Sequence, residues 1–281
     1  MNRRGFVLLS VVWVLVLASG LALAALEQAR AASRTAYNRS QLTRAEWARR
    51  ACESLLESRP VKERHRNLTT VQVGGSAWCR YRIEVPERHL NVNRTSRPFL
   101  HALLQSDSVT DAVLDWIDED TLPRPYGAER DWYRTARRRP PADGPVIDLR
   151  DLLAVRGVTG EHLTRLERAF TTRGDGRLLV LESPAEVWRL LPGLGEPGAR
   201  RLSLMRRLNA LPGDPDALRA MAASLAGRSA GLESLWLASE PSLLVVHYEG
   251  GWGSSRLTSK AVVEYAVSGG RLARAAVEVE D

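Results

Sequence analysis

Residues 6–26, FVLLSVVWVLVLASGLALAAL, form an apolar run without a charged side chain, directly after the basic opening MNRRG. At about 1.5 Å per residue, a helix over this run spans roughly 30 Å, the thickness of a bilayer core. The run predicts a transmembrane helix, with Arg3 and Arg4 on the cytoplasmic side and the remaining chain exported. Composition leaves two alternatives open, a cleaved secretory signal with small residues near 22–24 and an ordinary signal anchor.

The same helix is predicted to continue beyond the apolar run. Residues 27–58 contain neither proline nor glycine, and Pro60 is expected to end the helix. Apolar side chains recur there at helical spacing, at Leu42, Ala45, Ala48, Cys52, Leu55 and Leu56. We therefore expect one long helix, half in the membrane and half packed on a globular head.

Strands are predicted on either side of a helical block. Residues 69–73 and 77–85 alternate around a Gly-Gly-Ser turn, and residues 231–281 return to strand patterns with a Gly269-Gly270 hairpin. Short amphipathic segments separated by glycine or proline fill residues 97–230. The fold class predicted is α+β, an antiparallel sheet head with an inserted all-α domain.

Carboxylate side chains are concentrated in residues 111–134, DAVLDWIDEDTLPRPYGAERDWYR. Carboxylates this crowded repel one another unless a cation or arginines neutralise them. Calcium prefers six to eight oxygen ligands from a flexible loop, and this stretch can supply them. The alternative is a solvated acidic turn paired with arginines such as Arg124 and Arg130, and composition leaves both open.

The net charge of +7 permits nucleic acid, anionic lipid or an acidic protein as partner without selecting one. Basic residues are scattered, apart from the run at residues 137–139. Glycine turns at residues 155–160 and 191–195 resemble helix-hairpin-helix turns, so a membrane-anchored nucleic-acid-binding protein is the alternative function. Zinc, nucleotide and nucleophile motifs are not recognisable, so we predict a structural protein and no enzyme.

The N-terminal junction resembles the class III signal of type IV pilins and pseudopilins, in which a basic leader ends in glycine and phenylalanine opens the apolar run. The resemblance implies cleavage by prepilin peptidase between Gly5 and Phe6, with methylation of the new N-terminus. Most such subunits carry glutamate at the fifth mature position, where this chain has Ser10. The K-type minor pseudopilin of the type II secretion system is the known exception, and it occupies the filament tip.

The acidic stretch also resembles the K-type subunit, through Asp-Trp-Ile-Asp-Glu-Asp, then Gly-Ala-Glu, then Trp-Tyr. That family binds calcium in its head. The resemblance implies Asp118, Asp120, Glu129 and Asp131 as ligands, with Asp115 as a further candidate. A type IV pilus minor pilin is a related alternative.

The resemblance also implies partners, a location and an organisation. The partners are other minor pseudopilins of the I and J types, the pseudopilus, prepilin peptidase and the inner membrane, with no nucleic acid. The chain is expected to be a single-pass inner-membrane protein with a periplasmic head that supports export across the outer membrane. The segments are a leader (1–5), a transmembrane helix (6–26), its periplasmic continuation (27–58), the first part of the head (59–96), the helical insert (97–230) and C-terminal strands (231–281).

Two further expectations concern the head. Cys52 and Cys79 could form a disulfide in an oxidising compartment, stapling the helix to the sheet; the alternative is two reduced thiols. Residues 89–104 and 177–192 form a weak internal repeat, and Asn91 and Asn93 in its first copy are expected to hydrogen-bond the following turn.

Overall fold

The computed structural model describes residues 3–58, 68–141, 143–191, 193–226, 238 and 240–280. These residues form two compact units. The first unit, called the sheet unit, comprises Met1–Ile83, Val246–Val263 and Arg274–Asp281. The second, called the helical unit, comprises Glu84–Val245 and Glu264–Ala273.

Helices and short strands alternate along the chain between two sheet-forming ends. In chain order the elements are α1 (Arg3–Glu57), β1 (Thr69–Gly74), β2 (Ala77–Glu84), β3 (Leu90–Asn91), α2 (Arg97–Leu104), α3 (Asp107–Ile117), α4 (Arg130–Thr135), α5 (Gly160–Ala169), β4 (Phe170–Thr171), α6 (Ala185–Leu190), α7 (Gly195–Arg207), α8 (Pro215–Ala226), β5 (Leu243–Trp252), β6 (Thr258–Ser268) and β7 (Arg271–Glu280). Three 3-10 segments, Pro86–Arg88, Val92–Arg94 and Leu149–Ala154, join these elements.

The long N-terminal helix is confirmed. Helix α1 is continuous from the basic opening to Glu57, and its side chains between Val11 and Leu26 are exposed. Its apolar segment has a mean hydropathy of 1.9, so α1 is long and apolar enough to cross a membrane. Gly5, Phe6 and Ser10 lie within α1, whereas Pro60 lies outside the described residues.

The sheet has five strands in the order β1-β2-β5-β6-β7. Strands β1 and β2 pair antiparallel around the predicted turn, and β6 and β7 flank the predicted Gly269-Gly270 turn. The α+β fold class is therefore confirmed. The strand expected just after residue 230 falls largely outside the described residues.

Within the sheet unit, α1 packs directly on the sheet. A β-carbon at Gly250 would lie 2.5 Å from the Arg49 amide nitrogen, so only glycine allows this approach of helix and strand. Cys52 of α1 and Cys79 of β2 form a disulfide, with a Cα–Cα distance of 6.1 Å. A loop of this length contributes about 3.5 kcal/mol in the chain-entropy picture.

The helical unit has its own apolar core. Its largest fully buried side chains include Phe99, Leu100, Tyr133, Leu152, Leu166 and Trp188. Leu90 and Val92 are also buried in this core, so the unit begins earlier than the helical insert expected from the sequence. The reason is that β3, which precedes α2, pairs in parallel with β4 after α5.

The two copies of the internal repeat have matching local structure. Helices α2 and α6 begin at equivalent positions of the copies. Asn91 accepts a hydrogen bond from the Asn93 amide at 2.9 Å, which confirms the expected turn contact. The expectation is incomplete for Asn93, which instead exchanges two 2.9 Å hydrogen bonds with the backbone of Val146. A bond between residues this far apart in sequence has no local signal.

Candidate metal centre

Two helices and the loop between them position the acidic residues. Helix α3 is capped at its start by Ser106, whose hydroxyl accepts from the Val109 amide. It ends at Ile117, so Asp118 is the first residue to leave the helix. Glu129 has extended backbone and immediately precedes α4. The acidic loop, residues 118–129, therefore begins with Asp118 at the end of α3 and ends with Glu129 at the start of α4.

Three carboxylates converge at this loop. Asp118, Asp120 and Glu129 each offer one oxygen, and these oxygens lie within 4.8 Å of one another. Asp120 also accepts a 2.8 Å hydrogen bond from the Leu122 amide, which fixes its side chain. All three were predicted as ligands from the sequence, and the structure brings them together.

The electrostatics of this cluster suit a cation. Both carboxylate oxygens of Glu129 are buried without a hydrogen-bond partner, and so is Oδ1 of Asp118. Burial, reinforced by Asp115 and Asp118, raises the pKa of Glu129 to about 7. Buried carboxylate oxygens normally have partners, because unpaired ones cost free energy. A hard divalent cation with oxygen ligands, such as calcium, would satisfy these atoms.

Asp115 stands beside the cluster with a different role. It is fully buried and accepts from the Arg124 guanidinium at 2.6 Å and from the Arg124 amide at 3.3 Å. The same guanidinium nitrogen donates to Asp118 at 2.5 Å. The structure therefore shows Asp115 paired with Arg124 and outside the three-carboxylate group.

A second buried aspartate anchors the other side of the loop. Asp111 of α3 accepts from Arg97 Nε at 2.7 Å and from the Tyr126 amide at 3.3 Å. Gly127 directly follows Tyr126, and its amide donates to the Arg124 carbonyl at 2.9 Å. Asp111 and Asp115 thus hold the loop backbone, and the remaining carboxylates face one another.

Asp131 requires a correction to the predicted ligand set. Its side chain is 91% exposed and pairs at 2.9 Å with Arg134, one turn along α4. Since α4 begins at Arg130, the helical turn carries Asp131 away from Glu129. Among the described residues, Asp131 is not part of the carboxylate cluster.

Asp143 is a candidate that the sequence reasoning missed. Its Oδ1 is buried without a partner, and its charge contributes to the raised pKa of Glu129. Its Oδ2 accepts from Arg130 at 2.5 Å. The one local signal is its position before Gly144 and Pro145, which fits its left-handed backbone (φ 52°) but names no ligand.

The aromatic residues of the stretch pack, as expected. Tyr133 is fully buried, with ring centroids 5.2 Å from Trp116 and 5.0 Å from Trp132. Its hydroxyl accepts a 3.0 Å hydrogen bond from the Arg156 amide. This packing joins α3, α4 and the turn before α5 into one support for the acidic loop.

The glycine turns join helices in the structure. Gly157 (φ 78°) lies just before α5, and Gly193 (φ 77°) lies between α6 and α7. Helices α6 and α7 make extensive contact with each other. Both glycines have a positive φ, which glycine adopts without strain, so the connections between the helices explain why glycine occupies these positions.

Comparisons with known proteins agree with this architecture. Residues 91–173, which include the acidic loop, match the sequence family of type II secretion system (T2SS) protein K. No curated relative matches the sequence at a significant level. A solved structure, the GspK-GspI-GspJ complex from the type 2 secretion system of enterotoxigenic Escherichia coli, matches with a TM-score of 0.61 and 14% identity. That match covers 90% of this chain and 99% of the other, and at this identity it establishes the fold.

The chain combines an apolar helix long enough to cross a membrane with a head that contains an antiparallel sheet, and the solved complex shares this fold. Residues 91–173 carry the sequence similarity to protein K of the type II secretion system, and the described fold is similar to that of a chain in the GspK-GspI-GspJ complex. Together these matches support a minor pseudopilin role in secretion.

Proposed function

We propose that this chain is the tip subunit of the type II secretion pseudopilus and has no catalytic activity. It would insert through residues 6–26 in the bacterial inner membrane, with Arg3 and Arg4 in the cytoplasm and the head in the periplasm. Ser10 supports the tip position. A tip subunit has no neighbour above it to neutralise a carboxylate in the membrane, so an uncharged residue is favoured there.

Prepilin peptidase would process the chain between Gly5 and Phe6 before assembly. The basic leader and the immediate start of the apolar run support this step. The new N-terminus would be the methylated amine of Phe6. Processing would leave the whole apolar segment of α1 available for the filament.

The partners proposed are minor pseudopilins of the I and J types, which the E. coli complex names. The contact would involve the periplasmic half of α1. Tyr37, Leu42 and Trp47 are exposed there and could supply apolar surface for this contact. Their burial against neighbouring helices would favour assembly.

The acidic loop would bind calcium through Asp118, Asp120 and Glu129, with Asp143 as a further oxygen donor. The ion would satisfy the buried oxygens of Glu129 and Asp118 and thereby fix the loop to α4. This role is structural. Asp111 and Asp115 already hold the loop backbone through Tyr126 and Arg124, so the ion completes a loop that is largely positioned.

The observation that carries the proposal is the protein K match within a head joined to a helix of membrane length. The first test is intact N-terminal mass spectrometry of the protein from its host, with and without prepilin peptidase. A chain that begins at N-methyl-Phe6 only when the peptidase is present supports it. A chain that begins at Met1, or near Ala24, contradicts it.

A second test addresses the tip position through complementation of a deletion strain. Ser10→Glu should reduce secretion, because the added carboxylate has no partner at the tip. Ser10→Gln has nearly the same size without the charge and should complement as wild type does. Full complementation by Ser10→Glu would contradict the tip assignment, and normal secretion by the deletion strain would contradict the role in secretion.

A further inference from the structure

A surface groove of about 510 Å³ lies in the helical unit, separate from the acidic cluster. The segment from Gly144 to Ala154 forms most of it. The lining residues that matter here are Trp116, Arg139, Val146, Ile147, Arg150 and Leu153.

The apolar part of the groove is unusually exposed. Ile147 is 88% exposed and Leu153 is 46% exposed, although Val146 beside them is buried. An isolated exposed apolar side chain is ordinary, but two that line one concavity form an apolar binding surface. Apolar groups that fill the groove would leave water favourably.

The backbone of this segment is held in place without a partner. Asn93 exchanges two hydrogen bonds with Val146, and the Thr172 hydroxyl donates to the Ile147 carbonyl at 2.7 Å. The Asp148 carboxylate accepts from the Arg150 amide at 2.9 Å and caps the 3-10 segment that follows. The exposed Ile147 side chain therefore stands on a preorganised backbone, which lowers the entropic cost of binding.

Positive charge surrounds the apolar surface. Arg139 and Arg150 line the groove, and Arg137 and Arg138 directly precede Arg139. All four side chains are exposed, and in the described part of the chain none of them forms an ion pair. Neighbouring arginines differ in this respect, since Arg130 pairs with Asp143. Asp151 is the one carboxylate among the lining residues.

We propose that this groove binds an acidic segment of a partner protein that carries an apolar side chain. The apolar side chain would rest on Ile147 and Leu153, and flanking carboxylates would meet Arg139 and Arg150. A protein segment fits better than a nucleic acid, since the aromatic residue in the lining, Trp116, is buried and offers no face for base stacking. The proposal goes beyond the structural role of the chain and does not depend on the tip position.

The test uses the full chain in detergent and fluorescence anisotropy. The probe is a labelled peptide of alternating aspartate and leucine. Two matched peptides replace leucine by serine, or aspartate by asparagine, and an oligothymidylate reports nucleic-acid binding. We expect the aspartate–leucine peptide to bind at least about tenfold more tightly than either matched peptide.

Variants locate the binding. Ile147→Asp, and Arg139→Glu combined with Arg150→Glu, should each weaken binding of the aspartate–leucine peptide by about tenfold or more. The control variants, Leu204→Asp and Arg207→Glu, make the same types of change at exposed residues of α7, and they should leave binding unchanged.

Folding is not expected to suffer from these changes, because the altered side chains are exposed. Circular dichroism checks this for each variant. The proposal is overturned if the aspartate–leucine peptide does not bind, or if both sets of variants act equally. It is also overturned if the oligothymidylate binds more tightly than the peptide and shows the same dependence on Arg139 and Arg150.

Discussion

Gly127 lies directly against the carboxylate of Asp115. A β-carbon at Gly127 would sit 2.6 Å from Cγ of Asp115 and overlap its Oδ2 atom. Asp115 cannot retreat, because it is fully buried and held by both the amide and the guanidinium of Arg124. The glycine of the acidic stretch is therefore a packing requirement of the loop.

We predict that Gly127→Ala destabilises the head by about 1–3 kcal/mol, the usual cost of overpacking a fixed site. The matched control is Gly160→Ala, at the first position of α5, where an added β-carbon meets nothing within 4 Å. Urea unfolding of both variants measures the difference. Equal stability of the two variants would show that the loop adapts to the methyl group.

If calcium binds the folded acidic loop as proposed, it should raise the melting temperature of the wild-type chain, because a ligand of the folded state stabilises that state. Glu129→Gln should lower calcium affinity by about tenfold or more, since it removes a charged oxygen ligand from a buried position. Asp131→Asn is the matched control, because Asp131 is exposed and paired with Arg134. Isothermal titration calorimetry distinguishes the two variants, and an equal loss in both would restore Asp131 to the ligand set.

Arg124→Gln should destabilise the calcium-free head by about 2 kcal/mol. The change leaves Asp115 buried without its charged partner, and the partial exposure of Arg124 limits the effect. Arg134→Gln removes an exposed ion pair in the same stretch and should cost less than about 0.5 kcal/mol. Calorimetric melting in chelator measures both, and a small effect of Arg124→Gln would mean that water already screens Asp115.

His89 makes the stability of the helical unit depend on pH. Burial, followed by the positive charge of Arg88, lowers the pKa of His89 below its ordinary 6.5. The folded state therefore favours the neutral ring, and this contribution is present above about pH 6.5 and is lost as pH falls below that value. Urea unfolding between about pH 8 and pH 5 should show a steeper loss in wild type than in His89→Gln. Parallel curves would contradict the assignment.

Much of this structure follows from local sequence signals. The apolar run predicts the first part of α1, and the Gly-Gly turns mark two hairpins, because bilayer length and turn chemistry depend on adjacent residues. The acidic composition of residues 111–134 left a calcium site and a solvated acidic turn both open, and the resemblance to the K-type subunit implied Asp118, Asp120 and Glu129 as ligands. Asp131 was misplaced because the start of α4 at Arg130 decides which way its side chain turns.

The remaining contacts depend on chain segments far apart in sequence. Asp143 approaches Glu129 only once α4 and the following loop have folded back. The bonds between Asn93 and Val146 and the exposure of Ile147 have the same origin. Sequence patterns report periodicity and turns, and they carry little information about such long-range packing.

The direct contact of α1 with β5 at Gly250, together with the disulfide between Cys52 and Cys79, has a mechanical consequence. Close packing at Gly250 and the covalent bond between Cys52 and Cys79 both join α1 to the sheet, so a displacement of the helix should carry the sheet with it. In the proposed pseudopilus, a push along the axis of α1 would reach the sheet through these two joints. The sheet unit would then act as the end of a rod, moving by the same distance as the helix that carries it.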